Sequence, residues 1–130
     1  MTRRATAGIT LIELLIVISI IGILAAYLIP NVINARKKAY DTGAIACGKS
    51  LQVAEALDQI DNQTFFTPSK TVTNTVLAGL PPGIEVNTGC YGPDMVITNA
   101  SSTSTTYTYW ISDSRGKRSF LFTPVSMETH

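Results

Sequence analysis

The sequence predicts an α+β fold in which one long N-terminal helix carries a small antiparallel β-sheet against its second half. Three observations point there. Residues 9–29 are an almost unbroken apolar run, and apolar or small residues then recur at Tyr40, Ala44, Cys47, Leu51, Ala54 and Leu57. Those steps of three and four residues are the period of a helix with one packed face. Loop formers then interrupt the chain at Pro68 and at Pro81-Pro82-Gly83. Beyond them lie short runs rich in aromatic and β-branched residues, which is strand composition.

The apolar run is 21 residues long. At about 1.5 Å per residue it makes roughly 31 Å of helix, enough to cross the hydrocarbon core of a bilayer. A secretory signal has an apolar core of about 7–15 residues and a small-residue cleavage site after it. This run is longer, and no such site follows. Glu13 lies inside it. A carboxylate at mid-bilayer costs roughly 2.5–3.5 kcal/mol, less near an interface, so an intramembrane carboxylate marks a function. Ahead of the run, residues 1–8 form a short leader that carries Arg3 and Arg4 and ends in Gly8. Pro30 falls near the far edge. Proline removes one backbone hydrogen bond and kinks a helix more often than it ends one, and no breaker follows it, so residues 31–62 are expected to continue as an amphipathic half. Gly43 and Gly48 are weak spots, each costing about 1 kcal/mol relative to alanine. A helix over residues 9–61 would be about 80 Å long. A small domain cannot bury that length, so its first half must meet lipid or other subunits. Arg3 and Arg4 on one side and Arg36, Lys37 and Lys38 on the other leave the positive-inside rule undecided.

Residues 63–130 are expected to hold a loop followed by the sheet. The loop runs to Gly83, with a short helical turn over residues 74–80. Strands are expected over 84–87, 95–98, 106–111 and 119–123, with Pro124 ending the last. Residues 113–117, with Gly116, suit a hairpin loop. The polar run 99–105 reads as a mobile loop. Three or four such strands have one apolar face to cover, and the amphipathic half of the helix supplies the cover.

The chain has 130 residues, enough for the helix and one small domain, and a formal charge of +1. Without Arg3 and Arg4 it has 8 basic and 9 acidic side chains, a net −1. A near-neutral chain has no global electrostatic reason to bind nucleic acid. No catalytic constellation is visible. The single histidine is His130, in a tail expected to fray. No Cys/His cluster has metal spacing, and no glycine-rich loop follows a strand. Asp58 and Asp61, one turn apart, read as a solvated helix face. The chain is therefore expected to catalyse no reaction and to hold no cofactor or metal. Arg115, Lys117 and Arg118 lie near Tyr107, Tyr109 and Trp110, and positive charge beside aromatics can grip single-stranded DNA or a surface. A charged hairpin tip with core aromatics behind it is the plainer and favoured reading. Cys47 lies on the packed stripe of the helix and Cys90 just before a turn. A bridge between them would staple helix to sheet region, closing a loop worth about 4 kcal/mol in the chain-entropy model. Two buried free thiols are the alternative.

The basic leader ending in Gly8, the apolar helix with the single Glu13 and the later Pro30 resemble the class III signal of type IV pilins and their pseudopilin relatives. The resemblance is close over residues 3–39 and weak elsewhere. It implies a pilin-like lollipop, with the leader cytoplasmic and the C-terminal region outside. It implies cleavage by a prepilin peptidase between Gly8 and Ile9 and methylation of the new Ile9 amine, although Ile9 replaces the family's commonest residue there, phenylalanine. The prepilin would sit in the lipid of a bacterial inner membrane. An assembly machinery would then polymerise it with other pilin subunits into a surface filament by bundling residues 9–30, with Ile9, Glu13, Gly22 and Pro30 as assembly residues. The filament would serve motility, adhesion or DNA uptake. A pseudopilin of a type II secretion or competence system, and a minor pilin acting as a DNA-binding or adhesive tip subunit, are the alternatives. Secretion pseudopilins can hold calcium in an acidic C-terminal loop. Here Asp94, Asp113 and Glu128 are scattered, so no metal is expected. A Cys47–Cys90 bridge departs from the family's usual one, which fastens the C-terminal segment, and would leave residues 124–130 unclamped.

Overall fold

A computed structural model describes residues 8–71 and 76–130. Residues 1–7 of the leader, with Arg3 and Arg4, and positions 74 and 75 of the expected helical turn, lie outside the described residues. The described elements are α1 (Leu11–Asn62), a 3-10 helix (Thr88–Tyr91), and strands β1 (Met95–Ser102), β2 (Tyr107–Asp113), β3 (Ser119–Phe122) and β4 (Met127–Thr129). The chain forms two compact units, Met1–Ala35 and Arg36–His130. The fold is α+β: one long N-terminal helix packed on a small antiparallel sheet.

In the first unit α1 begins at Leu11, two residues later than expected, because Thr10 caps it. Its large apolar side chains are exposed, among them Leu11 (88%), Ile23 (73%) and Tyr27 (77%). Pro30 lies inside the helix. The helix is long and apolar enough over this part to cross a membrane.

In the second unit the helix buries Asp41, Ala44, Cys47, Gly48, Leu51, Ala54, Glu55 and Asp58 along one face. It stops at Asn62, where Gln63 turns into the left-handed region (φ 57°) and its N–H still reaches the Gln59 carbonyl at 3.0 Å. The buried face lies on a four-stranded meander in the order β1-β2-β3-β4. Alternation along β2 turns Tyr107, Tyr109 and Ile111 inward, and Phe120 and Phe122 of β3 pair opposite Ile111 and Tyr109. The rings of Tyr107, Tyr109 and Phe122 stack in sequence, at 5.1 and 5.9 Å between centroids.

Gly48 is no weak spot here. A Cβ at Gly48 would run into the Phe122 ring, which is fully buried and stacked, so it has nowhere to yield. Gly48→Ala, favourable by about 1 kcal/mol in an exposed helix, is expected instead to destabilise this unit by about 1–3 kcal/mol through overpacking. A lowered midpoint in thermal unfolding, against an unchanged or raised one for Gly43→Ala, where a Cβ meets nothing within 4 Å, checks it.

The sheet differs from the expectation in three places. Residues 84–87 form no strand, although Ile84 and Val86 do pack on the core. A strand needs a backbone partner, and the edge of β1 is already met by Lys70, which exchanges two 2.8 Å hydrogen bonds with Ile97. The polar residues 99–102 continue β1 past an irregularity between Asn99 and Ser101. Their backbone pairs with the start of β2, and the turn is closed by Thr103 N–H donating to the Thr106 carbonyl at 2.7 Å. Residues 127–129 form β4, pairing Phe120 with Thr129 and Phe122 with Met127. His130 is not frayed: its backbone exchanges hydrogen bonds of 2.9 and 3.0 Å with Ser119, and its ring meets Trp110 edge-on at 5.1 Å.

Candidate processing and assembly site

The head of α1 is built by a capping box. Thr10 is the N-cap and Glu13 the third helical residue. Glu13 N–H donates to Thr10 Oγ1 at 3.3 Å, while Glu13 Oε2 accepts from the Thr10 N–H at 2.8 Å and from the Thr10 hydroxyl at 2.7 Å. Two helix-end donors are satisfied reciprocally. The helix dipole favours a carboxylate in this first turn. The pattern Thr-x-x-Glu ahead of an apolar run was legible in the sequence, but Thr10 was not among the residues expected to matter. Gly8 and Ile9 precede the cap. Ile9 is 80% exposed, and among the described residues a Cβ on Gly8 would meet nothing within 4 Å. The same openness holds at Gly22, along the apolar helix that contains Pro30. Glu13 is thus a carboxylate held at the head of the stem, one turn from Ile9, with every large apolar neighbour facing outward.

In the second unit Cys47 and Cys90 form a disulfide with their Cα atoms 5.1 Å apart. Both are fully buried. The bridge ties the helix to the 3-10 helix ahead of β1. Asn87 caps that element by accepting from Gly89 N–H at 2.8 Å, and Ser50 secures it by accepting from Asn87 N–H at 3.2 Å.

The basic hairpin is tied down from several sides. Arg115 grips Asp113 through Nε (3.0 Å) and Nη2 (2.8 Å), reaches Asp94 at 3.1 Å, and lies over the Tyr40 ring at 4.2 Å. Hydrogen bonds from Arg115 hold the Asp113 carboxyl below the usual carboxylate range. Asp41 Oδ1 accepts from the backbone N–H groups of Lys117 (2.8 Å) and Arg118 (3.2 Å). Lys117 and Arg118 are exposed, but Tyr107 and Tyr109 are 3% and 0% exposed. The arrangement considered for DNA therefore lacks its stacking faces: those rings belong to the core because alternation along β2 turns them under the helix. Trp110, on the other face, is half-buried against His130.

Sequence reasoning also missed three buried ionisable groups. Asp58, expected on a solvated face, is 4% exposed and accepts from Asn62 Nδ2 at 2.6 Å. Lys70 is 2% exposed, its ammonium donating to the carbonyls of Gly92 (2.6 Å) and Met95 (2.9 Å). Glu55 is fully buried. The spacing Leu51, Glu55, Asp58 places both carboxyls on the packed stripe, a signal the apolar pattern alone passes over. Among the described residues no three His, Cys, Asp or Glu side chains converge on a common point. A groove of about 480 Å³ lies between the helix residues Val53 and Ala56 on one side and Phe65, Tyr107 and Val125 on the other.

Residues 3–29 match the family described as "Prokaryotic N-terminal methylation motif". That motif stands at the head of a long apolar helix, and the proteins the chain is similar to are a type IV pilus component and type II secretion core proteins. It is 42% identical over 81 residues to the type IV wide pilus major component of Thermus thermophilus, covering 62% of each chain. It is 37% identical over 83 residues to the type II secretion system core protein G of Pseudomonas aeruginosa, covering 64% of this chain and 57% of that protein. Against the core protein G of Escherichia coli the identity is 31% over 80 residues, 62% of this chain and 55% of the relative. The matched stretch thus spans about six-tenths of the length of these relatives.

Proposed function

We propose that this chain is a structural subunit, the major pilin of a type IV pilus. It is made as a prepilin, cut after Gly8 by a prepilin peptidase and methylated on the Ile9 amine. Residues 1–8 are the leader, residues 9–30 the membrane and assembly half of the helix, residues 31–62 the amphipathic half, and residues 63–130 the loop and sheet region. The subunit waits in the inner membrane and is polymerised by bundling of stems into a surface filament that serves motility, adhesion or DNA uptake. The observation that carries this reading is the stem itself: an apolar helix with all its large side chains outward and one carboxylate held at its head. Such a surface must be covered by lipid and then, in a filament, by other stems. The 42% identity with a pilus major component supports the pilus over its rival. A pseudopilin of a type II secretion system is the second reading, supported by the core protein G relatives.

Mass spectrometry of sheared surface filaments tests both. A pilus subunit is expected to dominate them, with the eight leader residues missing and one methyl group on Ile9. Uncut chain in mature filaments would count against the reading, and absence from sheared filaments would favour the secretion subunit. Gly8 is the residue before the scissile bond and carries no Cβ to obstruct an extended backbone. Replacing Gly8 by a bulky residue is expected to trap the uncut form, visible as the retained leader mass.

A further inference from the structure

Glu55 is fully buried between α1 and the sheet. Its Oε2 accepts from the Phe66 backbone N–H at 3.0 Å. Among the described residues its Oε1 has no hydrogen-bond partner, and neither does the hydroxyl of the buried Tyr109. A carboxylate here would be an ion in a site with one donor, and removing an ion from water without full pairing is costly. The titratable groups that interact with it all oppose its charge or lack one. Asp58 lies one turn further along α1 and disfavours a second negative charge. From β2 come Tyr107 and Tyr109, both buried and both pushed up by that burial, Tyr107 to about 12, so they stay neutral. The loop contributes the Phe66 N–H.

We propose that Glu55 is a proton-operated latch: as the neutral acid it holds the segment at Phe65–Phe66 against the helix, and loss of its proton releases that segment. The segment matters because Phe65 meets the Tyr107 ring edge-on at 5.0 Å and walls the groove over α1. Opening the latch exposes the carboxyl to water and remodels that groove. The inference concerns the second unit alone and does not depend on the assembly reading.

The linkage has a definite sign. Burial pushes the Glu55 carboxyl up to about 8 in the closed form. Exposed in the open form, it returns to the usual carboxylate range near 4.3. Between those values opening releases one proton, so the opening constant rises tenfold per pH unit. Above about 8 both forms are ionised and the rise stops. Closure is therefore favoured on the acid side and lost as pH climbs toward 8.

Hydrogen exchange of the full chain in detergent micelles, followed between pH 5.5 and 9, tests this. The Phe66 amide is expected to lose protection tenfold per pH unit up to about pH 8 and then level, once intrinsic exchange is divided out. Core amides of β2 are expected not to follow. In Glu55→Gln, a neutral side chain of the same shape, Phe66 protection is expected to be independent of pH. Flat protection in the wild-type chain overturns the latch, and so does an equal loss in every amide, which would mean global unfolding. The same slope in Glu55→Gln also overturns it. Should that variant not fold, the carboxyl carbon resonance of Glu55 in the wild-type chain decides: a midpoint near 8 supports the latch, and one in the ordinary range of 4 to 5 removes it.

Discussion

Glu13→Leu is expected to stop productive filament assembly while leaving leader cleavage, membrane insertion and the sheet-bearing unit intact. In the free subunit the Glu13 carboxylate is held by Thr10 through two hydrogen bonds of 2.8 and 2.7 Å. Cleavage after Gly8 would place a new cation on Ile9, four residues away. A cationic amine at a helix N-terminus is disfavoured by the dipole, so it gains from an anionic partner. In the proposed filament, Glu13 of one subunit would meet the amine of its neighbour in an apolar surround. Removing one partner of a buried ion pair costs about 3–5 kcal/mol. That cost recurs at each subunit added, which turns a moderate loss per contact into a failure of growth. The capping box supplies the control. Glutamine also serves at the third helical position of such a box, so Glu13→Gln keeps the cap and loses the charge. Both variants should yield few or no filaments, measured as sheared pilin from cells making the variant alone. Normal yield from Glu13→Gln would assign Glu13 to capping. Uncut protein in either variant would assign it to recognition by the peptidase.

Loss of the Cys47–Cys90 bridge is expected to lower the folding stability of the second unit by several kcal/mol. The two cysteines are 43 positions apart, and opening a loop of that size removes about 4 kcal/mol in the chain-entropy model. For a unit of this size that corresponds to a fall of roughly 15–30 °C in the unfolding midpoint. Alanine is the appropriate replacement at both positions, because both sites are fully buried and alanine adds no polar group to them. Thermal unfolding of the Cys47→Ala/Cys90→Ala chain, beside the native chain with and without reductant, measures it. Both thiols should resist labelling until reductant is added. A midpoint within a few degrees of native would show that the packing of the helix on Phe122 and Tyr109 already holds the unit closed.

The sequence by itself determined the helix, its span and its chemistry at the head. A 21-residue apolar run passing into a three-and-four spacing admits one regular structure, and that structure ends at Asn62, one residue from where its pattern fades. The Thr10–Glu13 box is a local signal. The strand character of β2 and the hairpin around Gly116 were legible from aromatic and β-branched composition and from turn chemistry. Only the tertiary structure decided the rest. Residues 84–87 alternate like a strand yet pair with none, and at Ile97 the edge of β1 is met by Lys70 instead. Residues 127–129 carry little strand character and pair because β3 offers them its open side. Gly48 reads as a helix defect until Phe122 is placed against it. Glu55 and Asp58 read as polar helix residues until the sheet covers them. In each case the deciding partner lies far along the chain, and periodicity carries no information about which distant backbone edge or ring will arrive.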